Sequence, residues 1–200
     1  MDIGLVKSLL NKEKIVFLGN PPYGQATTGQ TNAHKSGAAN TAIGEFMRKN
    51  KLGHASGELY TQFYYRVQLI KNFFEYGEDD EFHIFFFSKC FLTSPTYNDF
   101  VRPFTERFSF KEGFTINSGE FNGTSSTWGV IFSHWSINGD KNQDEFLFEV
   151  LNNSSEEGVL KQFDWIAKRV KKENTLSSWM KEIGQKEKDV NKPGTKNGFD

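Results

Sequence analysis

Apolar residues recur along the chain with two different periods. KIVFLG at 14–19 and FHIFFFSKCFL at 82–92 are apolar on both alternating faces. That pattern belongs to strands inside a sheet covered on both sides. ELYTQFYYRVQLIKNFFE at 58–75 places apolar residues at 59, 63, 67, 70 and 74, the spacing of a helix with one wide buried stripe. IGLVKSLL at 3–10 suits a short amphipathic helix closed by residues 11–14. TAIGEFMRKN at 41–50 predicts another short helix, inside a segment at 24–57 rich in Gly, Thr, Ala, Asn and Ser. YNDFVRPFTERF at 97–108 predicts a helix interrupted by Pro103. Residues 114–118 suit a short strand. TWGVIFSHW at 127–135 and DEFLFEVL at 144–151, joined by a polar NGDKN turn, predict a β-hairpin. From residue 152 lysine becomes more frequent, and the spacing predicts helices at 156–172 and 174–183. The polar, Pro- and Gly-containing stretch at 186–200 reads as a frayed end or linker.

The order strand, long loop, helix, strand, helix, hairpin predicts an α/β fold with a parallel sheet and an antiparallel edge. It divides the chain into a sheet domain at 1–151 and a helical, lysine-containing connector or tail at 152–200. With 200 residues, 21 of them Phe, the chain can bury one sizeable core. The net charge of −1 supplies no global basic field, so contact with nucleic acid must come from local groups. The long segment at 24–57 offers one such group. Lys35, Arg48, Lys49 and Lys51 face a single acid there, Glu45, and are candidates for phosphate contacts. Cys90, the one cysteine, cannot form an internal disulfide, which fits a reducing cytosol; it lies in an apolar run and reads as inert core. His34, His54, His83 and His134 show no metal-ligand spacing, and no metal site is expected. The N-terminal residues lack the apolar core of a signal peptide, and no apolar run is long enough to span a membrane.

The strand at 14–19 runs into Asn20-Pro21-Pro22-Tyr23. Neither proline can donate to a sheet ladder, each fixes its own φ, and each restricts the residue before it. The result is a stiff corner in which acceptors dominate, at the carboxyl end of a strand, where open α/β sheets bind ligands. Asn20 adds a side-chain carbonyl and Tyr23 a flat ring. Converging acceptors beside a ring suit a planar amine. Such an amine is a poor nucleophile because its lone pair is delocalised. Two acceptors on its hydrogens draw the nitrogen toward tetrahedral geometry and stabilise the positive charge that develops there. The partner would be an electrophile held in line, such as a sulfonium methyl, and no metal or general base is needed before methyl transfer.

KIVFLG followed by NPPYG resembles the amine-binding motif of methyltransferases that use S-adenosylmethionine. The closest resemblance is to the adenine-N6 DNA methyltransferases of bacterial restriction-modification systems. ELYTQFYYRVQLI resembles the helix after that motif. FHIFFFSKCFL with TSPTYNDFVRPF resembles the next strand and helix. INSGEFNGTSSTWGVIFSHW resembles a later loop carrying a Phe and leading into a strand. The resemblance covers roughly residues 14–137. It implies a partial Rossmann-like methyltransferase sheet with a C-terminal antiparallel β-hairpin, S-adenosylmethionine as cofactor, double-stranded DNA as partner and a bacterial cytoplasmic setting. Asn20 and the Pro21 carbonyl would bind the adenine amino group, with Pro22 stiffening the corner. Tyr23 would stack on the flipped base and Phe121 would meet its other face. Phe63 would lie against the adenine of the cofactor, although its place on the apolar stripe suits a core role equally well.

The Gly-rich cofactor loop and ribose-binding acid of such enzymes do not precede NPPY, and no G-x-G occurs anywhere in the chain. The chain therefore reads as the catalytic half of a methyltransferase. The cofactor-binding half, or a second subunit, would act as partner along the open side of the strand at 14–19. Two other readings stand beside this one. One is N-methylation of glutamine or RNA at a similar corner. The other is a nucleic-acid-binding fragment without activity.

Overall fold

A strand that cannot continue past Pro21 and a helix rich in tyrosine set the architecture. The computed structural model describes residues 2–23, 41–120, 128–154 and 158–169, the side chains of 152–161 excepted. After α1 (Ile3–Leu10), β1 (Ile15–Gly19) pairs in parallel with β2 (Phe82–Lys89), from Ile15 opposite Phe82 to Gly19 opposite Phe86. The crossover between them carries α2 (Ala42–Lys49) and α3 (Leu59–Phe73). Thr41 caps α2 by accepting the Gly44 N–H at 2.9 Å, which satisfies one of the orphan donors of the first turn. Gln62 on α3 donates to the Ser56 carbonyl at 2.9 Å. Thr61 donates to the Glu58 carbonyl at 2.8 Å. These bonds fasten the polar segment before α3 onto the helix.

The remaining elements are α4 (Asn98–Thr105), β3 (Ser109–Asn117), β4 (Gly129–Ser136), β5 (Glu145–Ser154) and β6 (Gly158–Lys168). Pro103 lies within α4, which ends two residues later. The sheet has six strands in the order β1-β2-β4-β3-β5-β6. It is mixed: β1–β2 and β3–β5 are parallel, and the other neighbours are antiparallel. The architecture is α/β, and among the described residues β1 is an edge strand with no pairing on its outer side.

Two expectations are corrected. The strands at 127–135 and 144–151 do not form a hairpin. Both edges of β4 are occupied by β2 and β3, so the chain crosses β3 and returns as β5. The polar NGDKN turn is bound to neighbours instead of closing tightly. The Gln143 side chain accepts the Phe110 N–H at 2.7 Å, and the Asn142 N–H donates to the Thr105 carbonyl at 2.9 Å. Gly139 at φ 98° makes the turn that this path requires. The antiparallel hairpins are β3–β4 and β5–β6.

The helix expected at 156–172 is also absent, because residues 158–168 form β6. Trp165 and Ala167 alternate with Asp164 and Ile166, and sit opposite Phe148 and Phe146 on the core side of the sheet. Pairing with β5 decided the structure where the local charge pattern suggested a helix. The compact unit accordingly runs to Arg169, well past the boundary expected at 151. Its last described residue donates to the Asp144 carboxylate at 2.6 Å. The helix expected at 174–183 lies outside the described residues.

The core forms on one face of the sheet. Phe82, Ile84 and Phe86 of β2 and Ile131, Ser133 and Trp135 of β4 point to the helices and are almost fully buried. Phe104 of α4 contacts Phe108 (4.8 Å, stacked), Tyr64 (5.5 Å, edge-on) and Trp135 (5.0 Å, edge-on). Two polar groups within this core share one partner. Ser133 Oγ accepts the Trp135 indole N–H at 2.9 Å and bonds the Tyr64 hydroxyl at 2.9 Å.

The described helices all pack on that face. The other face carries Phe85, Phe87, Phe114 and Phe132, which are half-buried among themselves. His83 Nδ1 and His134 Nε2 lie 3.1 Å apart there, with His134 stacked on Phe85 at 4.0 Å and its Nδ1 3.5 Å from Glu112. Burial holds both imidazoles below their ordinary pKa. Lys14 and Lys111 push His83 down and Glu81 pulls it back, while for His134 the neighbouring His83 adds to the lowering and Glu112 opposes it.

Two outcomes follow from this packing. Phe104→Ala removes the ring at the centre of the aromatic cluster and should cost about 3–5 kcal/mol in urea unfolding. A smaller loss would mean that the cluster collapses around the gap. The histidine pair favours the neutral form in the folded state. Stability should be level above the unfolded histidine pKa of about 6.5 and fall as pH drops from there through the lowered folded values. Urea midpoints between neutral and mildly acid pH check this, with His83→Leu flattening the slope. An unchanged slope in that variant would contradict it.

Candidate functional site

β1 places its last residue, Gly19, against the ring of Phe86, where an added Cβ would come within 3.3 Å. The chain then turns outward through Asn20, Pro21, Pro22 and Tyr23. Pro21 is buried, while Asn20 and Pro22 are exposed. These residues form one wall of a cavity of about 430 Å³ at the carboxyl end of the edge strand. α3 contributes Phe63, Arg66, Val67 and Ile70 to its lining, and α1 adds Leu5. Asn20, Pro21, Pro22 and Phe63, singled out separately in the sequence, thus share one open site.

The structure also separates Phe63 from the core. The buried side of α3 is carried by Tyr60, Thr61, Gln62, Tyr64, Tyr65, Val67 and Gln68; of the expected stripe through 59, 63, 67, 70 and 74, Val67 is buried and Ile70 and Phe74 pack partly buried against the core. Phe63 is 43% exposed and faces the cavity. The tyrosines explain the shift: each buries its ring, and Tyr60 and Tyr64 find hydroxyl partners inside, at Tyr97 and Ser133. A core role therefore does not account for Phe63.

Tyr23 does not line the cavity. Its hydroxyl donates to Asn20 Oδ1 at 2.8 Å, and its ring lies edge-on to Trp128 with centroids 5.2 Å apart and planes at 72°. Burial pushes its pKa up to about 12, so the hydroxyl stays protonated as a donor at neutral pH. Trp128 in turn carries the Lys89 ammonium 5.4 Å from its ring centroid. Burial likewise raises the Cys90 thiol, which argues against a poised nucleophile there.

Of the proposed phosphate contacts, Arg48 and Lys49 are exposed on the last turn of α2, and Lys51 is exposed just beyond it with φ 58°. None of the three lines the cavity. Lys35 and Phe121 lie outside the described residues. Sequence reasoning missed Arg66 and Trp128. Arg66 was legible in principle, three residues after Phe63 and so on the same side of α3. Trp128 had no local signal, because its place depends on the register of β4 beside β2.

No family model matches the chain, and no curated protein matches it either. No helix among the described residues is long and apolar enough to cross a membrane.

Proposed function

We propose that this chain provides the amine-binding half of an N-methyltransferase acting on adenine-N6 in double-stranded DNA, with S-adenosylmethionine as methyl donor. The observation that carries the reading is the shared cavity. The exposed Asn20, the two prolines and the half-exposed Phe63 line it together. The Asn20 oxygen accepts one hydrogen of the amine and the Pro21 carbonyl the other. Both acceptors are fixed before the reaction, so the charge developing on nitrogen meets dipoles already in place. Pro21 and Pro22 lack N–H groups and so remove two backbone donors from the bend. The ring of Tyr23 offers the flipped base a surface that offsets part of its lost stacking.

The cavity fits one part of the cofactor. Phe63 presents a ring face to an adenine, Gly19 leaves room beside Phe86, and Arg66 stands at the rim for an anionic group. S-adenosylmethionine supplies an electrophilic methyl group on a sulfonium. This chain's residues bind the amine, orient its lone pair and shield it on one side.

The outer side of β1 supports a second chain, or the cofactor-binding half, as partner. Val16 and Leu18 are 51% and 73% exposed on that strand, whose outer backbone groups pair with no described strand. A strand edge of this kind is a template for pairing. Arg48, Lys49 and Lys51 would reach DNA phosphates from the end of α2.

The test is transfer of a radiolabelled methyl group to duplex DNA by the chain combined with its cofactor-binding partner. Label is expected in N6-methyladenine, and Asn20→Ala should lower kcat by roughly 10²–10³-fold, as loss of one preorganised dipole does elsewhere. Label in RNA or in protein glutamine would replace adenine in DNA with those acceptors. Undiminished transfer by Asn20→Ala would refute the mechanism.

A further inference from the structure

We propose that Trp128 is a positioning residue that acts through Tyr23 to hold the Asn20 side chain with its oxygen toward the amine site. Its chemical purpose rests on the methyltransferase reading above, whereas its geometry does not.

Asn20 is exposed at a strand end, and its side chain has two nearly isosteric ends. The oxygen accepts a hydrogen bond, and the NH2 group donates two. Only the oxygen can bind an amine hydrogen; the reversed amide would set donors against donors. Something must therefore choose the orientation before the base arrives. The Tyr23 hydroxyl does so by donating to Oδ1 at 2.8 Å. An amide oxygen has two lone pairs, so the second stays available to the amine.

A hydroxyl can hold the amide only if its own ring is held. Tyr23 lies beyond the last residue of β1 and outside any helix or strand. Among the described residues its ring packs against the edge of the buried core and lies edge-on to Trp128, the aromatic partner at its open side. Trp128 does not line the cavity, so it acts without touching the ligand site. It is itself fixed from two sides. Its carbonyl accepts the Ser118 N–H at 2.9 Å, just after β3, and its ring lies near the ammonium of Lys89, the last residue of β2. Lys89 pairs with Val130, two residues after Trp128. Thus β1, β2, β3 and β4 all converge at this end of the sheet, and their register is transmitted through two rings to one amide. The contact is an edge-on aromatic pair, a geometry that rings prefer and that biases where the Tyr23 hydroxyl is held.

The measurement is the ¹⁵N–¹H spectrum of side-chain amides in the full chain, with the Asn20 NH2 pair identified by its loss in Asn20→Ser. Tyr23→Phe should shift that pair, and Trp128→Ala should shift it to the same position. The double variant should move it no further. Trp128→Phe, which keeps an aromatic edge, should restore the native position. Should Trp128→Ala unfold the chain, visible as collapse of the backbone spectrum, Trp128→Leu is read in the same way. A native Asn20 signal in the folded Trp128→Ala or Trp128→Leu variant overturns the inference. So does a Trp128→Phe variant as displaced as the alanine form. The spectrum needs neither methyl donor nor acceptor. Failure of methyl transfer would therefore sink the proposed function alone, and a native signal would sink the positioning role alone.

Discussion

The missing N–H groups of Pro21 and Pro22 are the constraint on which the site depends. A strand at the edge of a parallel pair must stop where its backbone can no longer contribute to a ladder. Stopping there turns the chain outward at the carboxyl end of β1, beside the exposed amide of Asn20 and above the ring of Phe86. The same chemistry removes donors from the bend, so the corner is biased toward accepting hydrogen bonds. Structure and proposed chemistry therefore have one cause, which is why the four residues act as a unit.

Behind the corner, rigidity comes from aromatic packing joined to a small polar hub. Phe86 touches the cavity on one side and meets Tyr64 edge-on at 5.1 Å on the other. Tyr64 is held by Ser133, which also takes the indole N–H of Trp135. The cavity wall is thus continuous with the most buried part of the molecule. In contrast, the outer side of β1 and the second face of the sheet stay open among the described residues. The site sits at the boundary between these regions, lined by α1, α3 and the corner after β1, with a strand edge beside it that pairs with no described strand.

The legible parts of the fold were those decided by local chemistry. KIVFL and FHIFFF read as strands because apolar residues occupied both alternating positions, and they pair as neighbours; the cover expected on both faces is not there among the described residues, where Val16 and Leu18 of the edge strand are 51% and 73% exposed. NPPY read as a corner because proline leaves the backbone few choices. Long-range pairing was not legible. Nothing local in TWGVIFSHW shows that β3 and β2 would take both its edges. Phe163, Trp165 and Ala167 of β6 were read through their charged neighbours until β5 supplied a partner strand. The stripe read on α3 passed over Tyr64, because a hydroxyl group looks polar until Ser133 is seen to bind it. His83 and His134 lie 51 positions apart, and only the β2–β4 register brings their rings together.

The central claim is that two fixed oxygens at the bend hold a nucleobase amine. The most direct measurement is a crystal structure of the chain with its cofactor-binding partner and a duplex carrying an extrahelical adenine. The account predicts the adenine N6 within hydrogen-bond distance of both Asn20 Oδ1 and the Pro21 carbonyl oxygen, with Tyr23 against the base. An adenine bound elsewhere, or an Asn20 side chain turned away from it while the base lies against Tyr23, would contradict the account.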